Sequence, residues 1–481
     1  MGRTAMSMRI CGEILPGHPV TQTFLAADNY LSGIAVLIAT YDEKKRTSSI
    51  NISLRCITDT VRYIASREIK LSQVYDNSFV EVFFEPELSS AGSLYEICVC
   101  SDDSSHNNAA TLYITDGDQR IKGHVACDSF AKLSDEDGII AKLSYAPSIV
   151  SSRVPPNLEI SLVTQCNLNC VHCISRETRK VARRMGPIIR DAVRSWARSG
   201  ALQTAYTDFS GDIFWADARF GGELDFLISL DIPFHVDTNG THLSLDAINK
   251  VLASKVTSIN ISIDAANPET YKRIRKGSPH LDTIFGNMKM LSERRYVLGR
   301  HDVPLSAAFV AMRSNIEELP EFIMKVKSAG FDAVRTIHMQ AYTSDMDHES
   351  LWHDQELFNN VRESAIEVAN TIGIDIFIDR PFDDRDDQIG TSFCTLPWRA
   401  AYLLGNGDVL ACCVPGLRMG NLNEQSMEEI WNGQKYQALR RAVNSDNRPA
   451  SCRACPFVRK TNNPLSYMPH RVIRGLDFEE A

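Results

Sequence analysis

A chain of 481 residues with 44% hydrophobic and 23% charged residues can bury more than one core, since single cores rarely grow beyond about 250 to 300 residues, and two or three domains are expected. A formal net charge of -9 and a pI near 5.8 provide no general basic surface, which argues against nucleic acid as a partner. No run of about 18 apolar residues occurs, so no membrane span is expected, and M-G-R-T-A-M-S-M-R-I lacks both a secretion-signal core and, with Met6, a myristoylation motif; the expectation is a cytoplasmic protein. Thirteen cysteines, eight of them beyond residue 165 and clustered, fit metal binding in a reducing compartment better than a disulfide framework.

From Met8 to about Leu133 short apolar runs such as I-A-V-L-I-A-T-Y, S-I-N-I-S-L-R-C-I and F-V-E-V-F-F are punctuated by turn residues at Pro16–Gly17, Asp76–Asn77 and Asp116–Gly117. Seven or eight strands at that spacing predict an antiparallel β-sandwich over residues 1–133. The stretch Q-T-F-L-A-A-D-N-Y-L-S-G-I-A-V resembles β-sandwich modules attached to bacterial cell-surface glycan enzymes. Residues 134–157, with S-D-E-D-G, A-P-S and P-P-N, read as a linker.

Strands and helices then alternate through residues 158–380: strands at Leu158 to Thr164, Ala205 to Phe209, Phe234 to Thr238, Ser258 to Ile263, Ser306 to Met312 and Ala333 to Met339. The helix after Ser314 places Ile316, Leu319, Phe322, Ile323 and Val326 on one face and stops at Gly330; another starts at Asn267 as cap with Pro268 in the first helical position. Six β-α units imply an α/β fold with a parallel, partly closed (β/α)6 barrel whose chemistry sits at the carboxyl ends of the strands.

The first strand runs into Cys166, Cys170 and Cys173, a C-x3-C-x2-C loop whose thiolates can bind three irons of a cubane cluster and leave the fourth without a protein ligand. Three buried or zinc-binding thiols are the alternative. This loop resembles that of the radical S-adenosylmethionine (SAM) superfamily, and the resemblance implies a reduced [4Fe-4S] cluster that chelates SAM, cleaves it and releases a 5′-deoxyadenosyl radical. It also implies a reducing partner such as flavodoxin or ferredoxin. His172 then falls where the family has an aromatic residue near the adenine. Ser210, Gly211 and Asp212 fall where it has a Gly-Gly-Glu motif for the amino group of SAM; the literal triplet Gly221 to Glu223 stands too close to the next strand and reads as a helix start. Thr238, Asn239, Ser262 and Asp264, at the ends of the third and fourth strands, carry over as SAM-site candidates. Arg275 and Arg313 are possible carboxylate or substrate partners, or members of a solvated face.

Residues 381–481 hold Cys394, Cys412, Cys413 and the C-x2-C pair Cys452 and Cys455. Twelve residues separate Cys394 from Gly407, and four more separate Gly407 from Cys412. The pattern resembles the SPASM/twitch extension of radical SAM enzymes, which implies one auxiliary [4Fe-4S] cluster on Cys394, Cys412, Cys452 and Cys455, with a zinc site from the same thiolates as the alternative. If Cys412 sits on a strand facing the cluster, Cys413 points the other way, as core filling or as a thiol facing the barrel. His338 and Gln340, two apart at the end of the sixth strand, are candidates for orienting substrate, or they cap the rim. The expected reaction is oxidation or epimerisation of a carbohydrate-type substrate, with Cys413 as hydrogen donor in the epimerase branch. Modification of a ribosomal peptide is the runner-up. The sandwich is expected to be separable before Pro155.

Overall fold

The computed structural model describes residues 9–41, 46–115, 125–127, 138–173, 175, 183–207, 210–277, 280–339, 341, 344–379, 381–382, 393–413, 417–453 and 455. Two antiparallel sheets form the N-terminal sandwich. One joins Arg9–Glu13, Thr111–Thr115, Leu31–Ala39 and Ala141–Tyr145, with Gly138–Ile139 and Ser78–Glu87 attached; the other runs Arg62–Lys70, Ser49–Cys56, Leu94–Cys100, Val20–Leu25 and Val125–Cys127. Alternating residues of both sheets, such as Ile34, Val36, Ile52, Leu54, Ile97 and Val99, meet in one apolar core, as a half-buried sandwich requires.

The sandwich extends past the expected boundary at 133, because Ala141–Tyr145 pairs along Leu31–Ala39 with Ala141 opposite Val36 and Tyr145 opposite Leu31. Turn-forming residues on both sides disguise this strand in the sequence. The segment that follows is not a free linker. Ser148 O accepts from Trp398 Nε1 at 2.9 Å, Ile149 O accepts from Arg440 Nη1 at 2.9 Å, and Ser151 N donates to Asn432 Oδ1 at 3.0 Å. Ala146 and Val154 belong to the same core as the barrel. Separation before Pro155 would therefore cut away part of the catalytic unit.

In the third, ten-stranded sheet all six expected barrel strands are present, at Asn157–Ile160, Thr204–Thr207, Phe234–Thr238, Val256–Ser262, Leu305–Ala311 and Ala333–His338, paired in that order and all parallel. Two parallel strands flank them: Asp375–Phe377 beside the sixth and Ala400–Leu403 beside the first. The second continues into an antiparallel hairpin, Asp408–Leu410 and Arg418–Asn421, so the cysteine-rich extension grows out of the barrel sheet itself.

Period-two alternation divides this sheet into two faces. Leu158, Ile160, Val236, Ile259, Ile261 and Phe309 pack into the helix layer. The helix after Ser314 buries Ile316, Leu319, Phe322, Ile323 and Val326 as expected, although it opens with a 3-10 turn at Ile316–Glu318 and Ser314 does not cap it. Asn267 does cap Pro268–Arg275, its side chain accepting from Glu269 N at 2.8 Å. On the helix-free face stand Glu159, Tyr206, His235, Asp237, Asn260 and Ser306, at the alternate positions of the same strands.

Candidate active site

The C-x3-C-x2-C loop leaves the first strand and docks on the end of the Pro268–Arg275 helix. Val171 N donates to Ile274 O at 2.9 Å, and Asn169 N donates to Arg275 O at 3.2 Å. The contact at Gly277 is close: a Cβ there would stand 2.5 Å from Leu168 Cδ2 and 3.3 Å from Asn167 O. Donors from the loop itself, a strand end and a helix end reach the Cys166 and Cys170 sulfurs. Cys166 Sγ takes hydrogen bonds from Leu168 N at 3.5 Å and Asn239 Nδ2 at 3.4 Å, and Cys170 Sγ takes one from Arg275 Nη1 at 3.6 Å. Burial pushes the Cys170 thiol up in pKa while the Arg275 guanidinium works against that push. Sulfurs on one loop, met by N–H donors and a cation, have the donor chemistry of an iron–sulfur site. Among the described residues no three such side chains stand at coordinating distance of one point, so the fit is one of donor type and placement.

The other expected residues surround this loop in different ways. Asp212 is 2% exposed; its Oδ1 accepts from Trp215 N at 2.9 Å as a helix cap, and its Oδ2 accepts from Thr238 Oγ1 at 2.8 Å and Asn239 N at 2.7 Å. Its carboxylate thus ties the second strand end to the third, which accounts for the short side chain where the family pattern has Glu. Ser210 is buried with its hydroxyl on that of Ser161; Gly211 and Ser262 are half-buried beside these ends. Asp264 corrects the expectation of a ligand-lining carboxylate. It is 0% exposed, at φ 68°, with Oδ1 accepting from Val310 N at 2.8 Å and Oδ2 2.7 Å from Arg275 Nη2 and 3.4 Å from His172 Nε2. Arg313 is on a solvated face, paired with Asp354. The triplet Gly221 to Glu223 does start a helix, Glu223–Ser229, and Glu223 is buried under Arg184 and Arg190.

His338 is also corrected. Its ring packs between Phe358 and Phe382 at 4.4 and 4.8 Å in the helix layer, and burial lowers its pKa to about 4. Alternation fails to predict the side because the residues facing the helices there are even-numbered, with Val334 and His338 buried and Arg335 and Ile337 on the other face. Gln340 lies outside the described residues.

In the extension, Cys394, Cys452 and Cys455 act electrostatically on one another. Burial first, then Cys394 and Cys455, pushes the Cys452 thiol up to about 12, while Arg448 opposes the shift. Cys394 is raised likewise by burial, with Cys455 contributing. Cys412 acts on Tyr402 and Tyr436. Cys413 joins the helix-free face of the barrel: burial and then Glu159 push its thiol up to about 11, and it hydrogen-bonds Tyr402. Register puts Tyr402 directly opposite Glu159.

Sequence reasoning missed the floor of this face. His235 Nδ1 lies 2.5 Å from Ser258 Oγ, and its Nε2 lies 3.2 Å from Asp237 Oδ2. Asn260 Nδ2 donates to Asp237 Oδ1 at 2.6 Å, and Ser306 Oγ donates to Asn260 Oδ1 at 2.9 Å. Tyr206 leans on His235 with ring centroids 6.0 Å apart. The signal was present: these polar residues alternate with apolar ones in strands that also carry a helix layer, which marks a second face with a use of its own.

A partial parallel barrel thus carries a three-cysteine loop at its first strand end and is joined through its own sheet to an extension with further cysteines. Residues 160–305 match the model of the radical SAM superfamily, and residues 394–456 match that of SPASM, an iron–sulfur cluster-binding domain. The chain thus carries a radical SAM domain, of the kind that binds SAM and a [4Fe-4S] cluster, and a C-terminal SPASM domain, of the kind that binds auxiliary iron–sulfur clusters. It is similar to the AdoMet-dependent heme synthase of Methanosarcina barkeri, with 25% identity over 320 residues, 61% of this chain and 86% of that one. The sporulation killing factor maturation protein SkfB of Bacillus subtilis is 20% identical over 350 residues, 71% of this chain and 82% of that one. The PqqA peptide cyclase of Xanthomonas campestris is 23% identical over 323 residues, 63% and 81%. No helix among the described residues is long and apolar enough to cross a membrane.

Proposed function

We propose that the enzyme abstracts hydrogen from a substrate seated on the helix-free face of the barrel and oxidises it, and that the substrate is a segment of peptide. Cys166, Cys170 and Cys173 hold the cluster that takes SAM, with His172, Thr238, Asn239 and Ser262 around it; Cys394, Cys412, Cys452 and Cys455 hold one auxiliary [4Fe-4S] cluster. When bound, these groups supply a 5′-deoxyadenosyl radical and an electron acceptor, after reduction by a flavodoxin- or ferredoxin-type partner. The chain supplies the seat. Tyr206, Asp237, Asn260 and Ser306 offer donors and acceptors that orient a polar substrate, while the hydrogen-bonded His235 fixes the carboxylate of Asp237.

The observation that carries this reading is the parallel pairing of Ala400–Leu403 with Asn157–Ile160, which brings the extension to the strand that ends in the cysteine loop. Names of relatives favour peptide: one is a maturation protein and another a peptide cyclase. The anaerobically reconstituted enzyme, given SAM, reductant and a peptide encoded beside its gene, should form 5′-deoxyadenosine and a product lighter by two hydrogens. Peptide-independent 5′-deoxyadenosine with unchanged peptide mass would contradict the proposal.

A carbohydrate-type substrate is the second reading, favoured by the hydroxyl-matching network of Asp237, Asn260 and Ser306. Epimerisation belongs to either substrate, and Cys413 is its hydrogen donor, since a thiol raised to about 11 stays protonated at neutral pH. Deuterium entering the product in deuterated water, and lost in Cys413→Ala, would replace oxidation by epimerisation.

A further inference from the structure

The Asp264–Arg275 ion pair lies beneath the cysteine loop and has no part in the seat described above. Arg275 is 5% exposed and fixed at three points: Nε donates to Ile263 O at 3.2 Å, Nη1 to Cys170 Sγ at 3.6 Å, and Nη2 stands 2.7 Å from Asp264 Oδ2. Asp264 is fully buried and held from its other side by Val310 N. A buried ion pair is a poor source of stability, because desolvating both charges offsets most of their attraction and an apolar pair of the same size often serves as well. Nor is the Arg275 side chain needed to hold the loop, whose backbone is already bonded to Ile274 O and Arg275 O and packed on Gly277.

What the pair does supply is a charge and an N–H at one cysteine sulfur. Hydrogen bonds to sulfur and nearby net charge are principal determinants of an iron–sulfur cluster's reduction potential. We propose that Asp264 and Arg275 are positioning residues that set the potential of the cluster on the Cys166, Cys170 and Cys173 loop. Arg275 raises it through the Cys170 sulfur, and Asp264 limits the rise by offsetting the guanidinium. At Cys166 the neutral amide of Asn239 donates to the sulfur. The inference rests on the reading that this loop holds the SAM cluster.

The test is an EPR-monitored redox titration, without SAM, of the anaerobically reconstituted full chain as wild type, Asp264→Asn, Arg275→Gln and Arg275→Lys, with iron content measured for each. Arg275→Gln leaves a buried negative charge and should make the potential more negative. Asp264→Asn leaves an uncompensated cation and should make it less negative, in a shape that tolerates the left-handed backbone at this position. Each shift should reach about tenfold in the reduction equilibrium, or ~59 mV for one electron, with Arg275→Lys between wild type and Arg275→Gln. The auxiliary signal should stay put in all four. Shifts of the same sign, or potentials indistinguishable from wild type in Asp264→Asn and Arg275→Lys, would overturn the proposal. If Arg275→Gln fails to load iron, the sign of the Asp264→Asn shift decides alone. Failure of the underlying reading looks different: no signal of the wild type would then respond to added SAM.

Discussion

The two cysteine sites of this molecule are built in opposite ways. The first draws three cysteines from eight consecutive residues and places them against strand and helix ends that already offer N–H donors and a cation to sulfur. The second gathers cysteines from 394 to 455, on segments joined by packing and by hydrogen bonds such as those of Asn444 with the backbone of Cys394, and there burial dominates and pushes the thiols up in pKa. The first is a site prepared by the barrel; the second depends on the clamp that holds the extension together. That clamp includes the sandwich: Phe83 packs on Phe393 at 5.4 Å, next to Cys394, and Asn447 Nδ2 donates to Glu85 at 2.7 Å.

The largest effect comes from separating the sites outright. Replacing Cys166, Cys170 and Cys173 together by Ala should abolish 5′-deoxyadenosine formation and halve the iron content, from about eight to about four per chain if each site holds one [4Fe-4S] cluster. Loss of all iron would show that the second site depends on the first.

Next is the clamp. Arg440 is 0% exposed, donates to Pro397 O and Ile149 O at 2.8 and 2.9 Å, and stacks on Trp431 at 4.6 Å. Arg440→Met strips buried carbonyls of their donor and should cost about 3 kcal/mol in urea unfolding. The auxiliary iron should be lost first. A cut after Tyr145 should spare SAM cleavage, whereas a cut before Pro155 removes the Ile149 partner and should behave like Arg440→Met.

A smaller and opposite effect is expected from Gly277→Ala, whose Cβ would meet Leu168. It should cost about 1 to 3 kcal/mol through overpacking and weaken the SAM-cleaving cluster while leaving the auxiliary one intact. Equal loss of both would erase the distinction between the sites.

These contrasts also explain what could be read without coordinates. Local chemistry was legible: the C-x3-C-x2-C loop, the strand at Phe234–Thr238 and the Asn267–Pro268 cap all stand where expected. Sidedness and long-range pairing were not. Nothing local in A-A-Y-L announces that Ala400–Leu403 pairs with Asn157–Ile160 across more than two hundred residues, nor that Ala141–Tyr145 returns to the sandwich. The sequence leaves His338 open between orienting substrate and capping the rim, because a histidine at a strand end satisfies either side until the packing of Phe358 and Phe382 is known.

That histidine, in the helix layer, gives the smallest predicted effect. The unfolded chain binds the proton near pH 6.5 and the folded one only near 4, so stability present above pH 6.5 is lost as pH falls through this window. Wild type should lose about 2 kcal/mol between pH 7.5 and 5 at this group, and His338→Phe should lose less. An identical pH dependence in both proteins would remove His338 from the account.

The central claim is that one site meets SAM and the other does not. EPR of the reduced full chain, with and without SAM, tests it most directly when wild type is compared with the Cys166, Cys170 and Cys173 triple Ala variant. Two signals are predicted in wild type, of which only one changes on adding SAM, and that one is missing from the variant. A signal that survives in the variant and still responds to SAM would contradict the account.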